Sequence, residues 1–170
     1  MNMLQMIKQK QQQKQRQASG ARAEADVEQA LKVRGFRMVE KIEVPWRIDR
    51  RTGKSFALKK VSGDFRAVDP LRVRISPTVE VDIARSVLVE VKKHDGRLPW
   101  SAFRPHQIEA LREHKSLGGL SIVAWVSHGE LTLIDWEVIE SKGYGPGSSI
   151  IWEPDEGICV SRKKTVTKEP

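Results

Sequence analysis

An α/β domain, a mixed central sheet flanked by helices, is what the order of patterns along this chain predicts. Two apolar runs, Ser86–Lys92 and Leu120–Val126, have the length and the β-branched content of buried strands. One helix-length segment, Pro105 to about Lys115, separates them, and a strand–helix–strand order joins parallel strands. With 170 residues, 39% hydrophobic and 31% charged, the chain suits one globular domain with a single core.

Residues 1–18 are Gln/Lys-rich and low in complexity, so they read as a basic flexible arm or a frayed helix. Ser19 is placed to cap a helix that runs to about Arg34 and ends at Gly35, with Ala23, Val27, Ala30 and Leu31 as its apolar stripe. Phe36–Trp46 reads as a first strand. Residues 47–60 are a basic, turn-rich excursion. Asp64–Val68 reads as a second strand, broken by Asp69-Pro70. Leu71–Ile75 and Val79–Ile83 read as paired β segments around Ser76-Pro77, and Ser86–Lys92 is the third main strand. Pro105 suits the first turn of a helix that Gly118-Gly119 closes. Leu120–Val126 follows as a central strand and Glu130–Ile134 as another. Asp135–Glu140 reads as a short helix, Gly143–Gly147 as a loop, and residues 150–160 as contributing an edge strand. The folded domain is thus expected over 19–161, with a basic tail over 162–170.

The net charge of +8 is unevenly spread. Lys8, Lys10, Lys14 and Arg16 make the N-terminal arm basic, and Arg162, Lys163, Lys164 and Lys168 do the same for the tail. Residues 47–74 are also strongly basic, whereas 127–161 hold seven acids against Lys142. Basic arms and a basic segment suit a polyanion partner, although a charge run alone is as often a solvated face. No apolar stretch approaches a membrane span, and Met3, Leu4, Met6 and Ile7 are too few for a signal-peptide core. A single cysteine, Cys159, excludes an internal disulfide, so a reducing, cytoplasmic location is the expectation.

The chemistry-bearing feature is Glu90-Val-Lys92. Strand alternation points Glu90 and Lys92 to one face and Val87, Val89 and Val91 to the other. A carboxylate and an ammonium at the end of a buried strand are costly unless paired or bound to something. Phosphodiester hydrolysis needs hard oxygen ligands for Mg²⁺, an attacking water and a cation near the developing charge. Asp64 and Glu90 are candidate ligands and the Val91 carbonyl a third oxygen; Lys92 is a candidate either to position or deprotonate the water or to offset charge in the transition state. Glu24 on the first helix is a candidate for a water-mediated ligand, and Gln107 for a hydrogen bond to a water or to Lys92. Trp100 and Phe103 are read as packing rather than stacking on bases, and the histidines lack zinc spacing. Gly143–Gly147 has no following Lys-Ser/Thr and is not a phosphate loop.

Asp64 followed by Glu90-Val-Lys92 resembles the Asp…Glu-x-Lys signature of the restriction-endonuclease-like nucleases. Gly20-Ala-Arg-Ala-Glu24 resembles the segment that opens the first helix of Holliday junction resolvases. Pro105-His-Gln107 through Leu111 resembles their His-Gln…Leu helix, and Gly118-Gly119 with Ser121–Val126 resembles the strand that follows. The RecU type fits best, with the archaeal type close behind, over about residues 19–127. The resemblance implies a restriction-endonuclease-like core and a homodimer that nicks a four-way DNA junction symmetrically. It also implies Mg²⁺ (Mn²⁺ substituting), with Asp64 and Glu90 as ligands, Lys92 as catalytic cation and Glu24 as outer support. Candidate DNA contacts are Arg22, Arg50, Arg51, Lys54, Lys59, Lys60, Lys93, His94, Arg104 and His106. Asp82 rivals Asp64, Glu28 rivals Glu24, and no clear counterpart of the RecU stalk is found. Another nuclease of the same fold, a silent DNA-binding module and an RNA-binding protein are the competing readings.

Overall fold

The computed structural model describes residues 3–43, 46–48, 51–52, 55–57, 63–76, 78–151 and 158–160. Its centre is a six-stranded mixed sheet, ordered β1-β4-β5-β7-β8-β10. The strands are β1 (Arg37–Lys41), β4 (Phe65–Ser76), β5 (Val79–Lys93), β7 (Leu120–Ser127), β8 (Glu130–Asp135) and β10 (Ile158–Val160). Only β5 and β7 pair in parallel; every other neighbouring pair is antiparallel. The parallel step is bridged by α2 (Pro105–Ser116), as the order of patterns predicts. Two small ladders lie outside the sheet: β2 (Trp46–Ile48) with β3 (Ser55–Ala57), and β6 (Leu98–Pro99) with β9 (Ser149–Ile150).

Helices cover both faces. On one, Ala23, Val27, Ala30 and Leu31 of α1 (Met3–Val33) pack on Phe65, Ala67, Val87, Val89, Ile122 and Ala124. On the other, Leu111 of α2 and Trp136 and Ile139 of α3 (Trp136–Ser141) pack with Leu88, Val123 and Ile134. The two sets alternate along β5 and β7 with the two-residue period of a strand. Trp100 and Phe103 belong to this second core. Their rings lie 5.9 Å apart and each sits 5.8 Å from Trp136, so the packing reading is correct.

Three expectations change. Ser19 is not an N-cap, because α1 is continuous from Met3 to Val33. Gln, Lys, Arg, Met and Ala all favour a helix, and Gly20 costs it only about 1 kcal/mol. The first strand stops at Lys41 after an irregular register at Met38, whose φ is +48°; Trp46 belongs to β2. Asp69-Pro70 does not interrupt β4. β1 pairs with β4 only as far as Val68, so beyond it one edge of β4 has no partner strand among the described residues, and an open edge tolerates a residue with no N–H.

β4 and β5 therefore form one long hairpin. Its far half, where Leu71 faces Ile83 and Val73 faces Val81, projects past the sheet as a two-stranded arm. No described helix is long and apolar enough to cross a membrane.

Candidate active site

Leu88 faces the α2 side of the sheet, so Glu90 and Lys92 follow on that side, where β5 ends. Glu90 is 2% exposed. Its Oε1 accepts from Lys92 Nζ at 2.9 Å and from Gln107 Nε2, while its buried Oε2 has no partner among the described residues. Lys92 Nζ also donates to Gln107 Oε1 at 2.8 Å and lies 5.1 Å from the Phe103 ring centroid. The same Gln107 oxygen accepts the Arg104 backbone N–H at 3.0 Å. Both partners of that oxygen are pure donors, which fixes the amide's orientation. Gln107 thus ties the first turn of α2 to both members of the Glu-x-Lys pair.

Asp64 reaches the site through backbone geometry. Gly63 has φ +82°, and a Cβ there would overlap the Leu88 side chain, so only glycine fits. Asp64 N–H donates to Val89 O at 2.7 Å, and its carbonyl accepts from Ile42 N–H at 2.8 Å. Its Oδ2 then accepts the Val91 N–H at 2.7 Å. A strand residue's N–H and C=O leave the same edge, so the Val91 carbonyl is directed toward Asp64 as well.

Burial pushes the Asp64 carboxyl up, against the pull of the Val91 amide and Lys92; the Glu24 charge adds to the rise. Burial also pushes Glu90 up, followed by repulsion from Asp64. Lys92 and the Gly63 amide offset this only in part. The two carboxylates therefore form an under-compensated negative pair.

Glu24 lies on α1 on the Asp64 side and pairs with Lys41 of β1, Oε2 to Nζ, at 2.5 Å. The Lys41 ammonium is held above its usual range by the Glu24 bond and then by nearby carboxylates, including Asp64. Glu28, one turn on, is occupied with Lys32. Asp82 sits on the projecting arm with Arg72 at 2.8 Å, eight residues along β5 from Glu90. Of the two pairs of rivals, Asp64 is the acid whose charge acts on Glu90, and Glu24 is the one whose charge acts on Asp64.

Of the candidate DNA contacts, Arg22, Lys93, His94, Arg104 and His106 lie on the elements that meet at this end of the sheet. Arg22, Lys93, His94 and Arg104 are exposed and His106 is half-buried. Lys93 donates to Ser19 Oγ at 2.6 Å, and His94 Nδ1 lies 3.1 Å from Asp95 O. Arg51 is in an exposed turn. Arg50, Lys54, Lys59 and Lys60 lie outside the described residues. Sequence reasoning missed Lys41, and of Phe103 it gave the packing but not the contact with Lys92. Lys41 gives no local signal, because its partners come from elements that only the fold brings near.

Among the described residues, no group of three or more His, Cys, Asp or Glu side chains forms a ready metal cage. The donors present are two carboxylates and a backbone carbonyl, with Glu24 behind them on Lys41. Hard oxygens of this kind, one of them buried and unpartnered, fit Mg²⁺ or Mn²⁺ rather than zinc. No protein-family model matches the sequence, and no curated protein is significantly similar to it.

Proposed function

We propose that this protein is a Mg²⁺-dependent, structure-selective DNA endonuclease with a restriction-endonuclease-like core. Its substrate is the four-way Holliday junction, resolved in the cytoplasm by paired symmetric nicks. The observation that carries this reading is the meeting of Asp64, Glu90 and Lys92 at one strand end, with the buried Glu90 Oε2 unpartnered.

Asp64 and Glu90 would hold the ion, with the Val91 carbonyl beside them and Glu24 acting through a water. When bound, the ion supplies Lewis-acid polarisation of the phosphate and an acidified water. Lys92 offsets charge that builds on the phosphate oxygens, and its low exposure makes that charge worth more than it is in water. Gln107 keeps Lys92 and Glu90 in register. Selectivity rests on junction shape rather than base edges, since no recognition helix is present among the described residues. Two equivalent cuts need two sites in fixed relation, hence a two-fold homodimer.

One observation favours a second reading. Glu90, Lys92 and Gln107 bond mutually, as a structural cluster in a silent DNA-binding module would. Cleavage of a labelled four-way junction with Mg²⁺, beside a linear duplex of the same arms, separates the two. Paired nicks on the junction alone, lost in Lys92→Ala, Asp64→Asn and Glu90→Gln while binding persists, are the expected result. Full activity of Asp64→Asn would discard that ligand. Tight binding without any cutting would leave the silent module.

A further inference from the structure

Lys92 and Lys93 project to opposite faces of β5, and Lys93 opens onto a different feature. A cavity of about 300 Å³ lies between α1 and the β7–β8 turn. Ser19, Arg22 and Asp26 line it from the helix, Lys93 from β5, and Val126 and Gly129 from the turn region. Ser19, Arg22 and Asp26 follow at helical spacing, so one face of α1 presents all three. The Lys93 ammonium is anchored to Ser19 Oγ at 2.6 Å, its one hydrogen bond among the described residues, which leaves two of its hydrogens for a ligand.

We propose that Ser19, Arg22 and Lys93 form a phosphodiester cradle. It takes a backbone phosphate next to the one cut on the other face of β5, and so it rests on the endonuclease reading. Two cations and a hydroxyl converging on one small cavity match the oxygens of a phosphate. The proposed DNA substrate makes that phosphate the monoanionic diester of a backbone rather than a free phosphate. A strand crossing the end of β5 would be gripped on one face by this cradle and presented on the other to Lys92.

The test is fluorescence anisotropy of a labelled four-way junction without divalent ions, using the full chain and its Arg22→Ala, Lys93→Ala and doubly substituted variants. Circular dichroism and melting check that each variant is folded. Each single change is expected to weaken binding about tenfold, the size of one charge-assisted hydrogen bond. The double variant should lose less than the product of the two, because both groups act on one phosphate. The salt dependence of its log Kd should flatten by about one phosphate contact. Losses that multiply would mean independent surface charges, and no loss would mean no contact; either overturns the cradle while leaving the nuclease reading intact. Inorganic phosphate competing better than chloride of equal ionic strength would overturn the diester assignment. A wild-type protein that ignores DNA would overturn the endonuclease reading itself.

Discussion

The β4–β5 hairpin carries an acid–base pair near each end, and the two behave in opposite ways. On the projecting arm, Arg72 and Asp82 face each other in water, and the guanidinium bond holds Asp82 below the usual carboxylate range. At the sheet end, Glu90 and Lys92 share a face of one strand inside the protein, and Glu90 is pushed up. Each is one carboxylate with one cation; what differs most is the solvent. In water a partner is a small bonus to a charge already content, whereas inside the sheet the partner only reduces a large desolvation cost. The buried end is therefore the one that gains from a further cation.

The largest expected effect follows directly. Glu90→Ala strands the Lys92 ammonium and should cost about 3–5 kcal/mol in urea unfolding, whereas Asp82→Ala should leave the midpoint in place. Equal midpoints for the two variants would erase the distinction between the ends. Next comes Gly63→Ala, which places a side chain at a left-handed φ and against Leu88. A loss on the order of 1–3 kcal/mol is expected, with nicking reduced because Asp64 is displaced. Wild-type activity and stability in that variant would show that the turn does not set the acid.

Lys41→Met sharpens the comparison at its half-exposed middle. It should change stability by no more than about 1 kcal/mol. By freeing Glu24 it should lower the Mg²⁺ concentration needed for half-maximal nicking, and an unchanged or raised requirement would argue that Glu24 plays no part near the ion.

The smallest effect is one of pH. His114 Nδ1 lies 3.1 Å from Ser121 Oγ, whose own hydrogen goes to Leu111 O, so Nδ1 carries the proton and Nε2 faces Ser86 Oγ at 3.0 Å. Burial, and then the Arg66 charge, lower its pKa. The unfolded chain then binds more protons than the native one from about pH 6.5 down to the depressed native value. Stability should fall as pH drops through that window, and the slope should flatten in His114→Gln. An unchanged slope would remove His114 from the pH response.

What could be read from the chain, and what could not, follows from the distance over which each feature is encoded. Glu90 and Lys92 are two apart in a period-two element, so their shared face is written locally. The crossover through α2 is written in the order of elements. The course of β4 through Pro70 is not, because an edge is open or closed only according to where β1 stops. Ser19 has the chemistry of a cap, yet its hydroxyl meets Lys93, seventy-four residues away. Lys41 beside Glu24, and Phe103 beneath Lys92, were equally hidden, since each depends on two elements meeting.

Pro70 has one more consequence. Among the described residues the outer border of β4 is unpaired beyond Val68, and an unpaired border invites other chains to add strands along it. The pyrrolidine nitrogen offers no hydrogen there, so the ladder cannot be extended past it. The residue that looked like a strand breaker thus leaves its own strand intact and blunts the β4 border of the arm against edge-to-edge pairing.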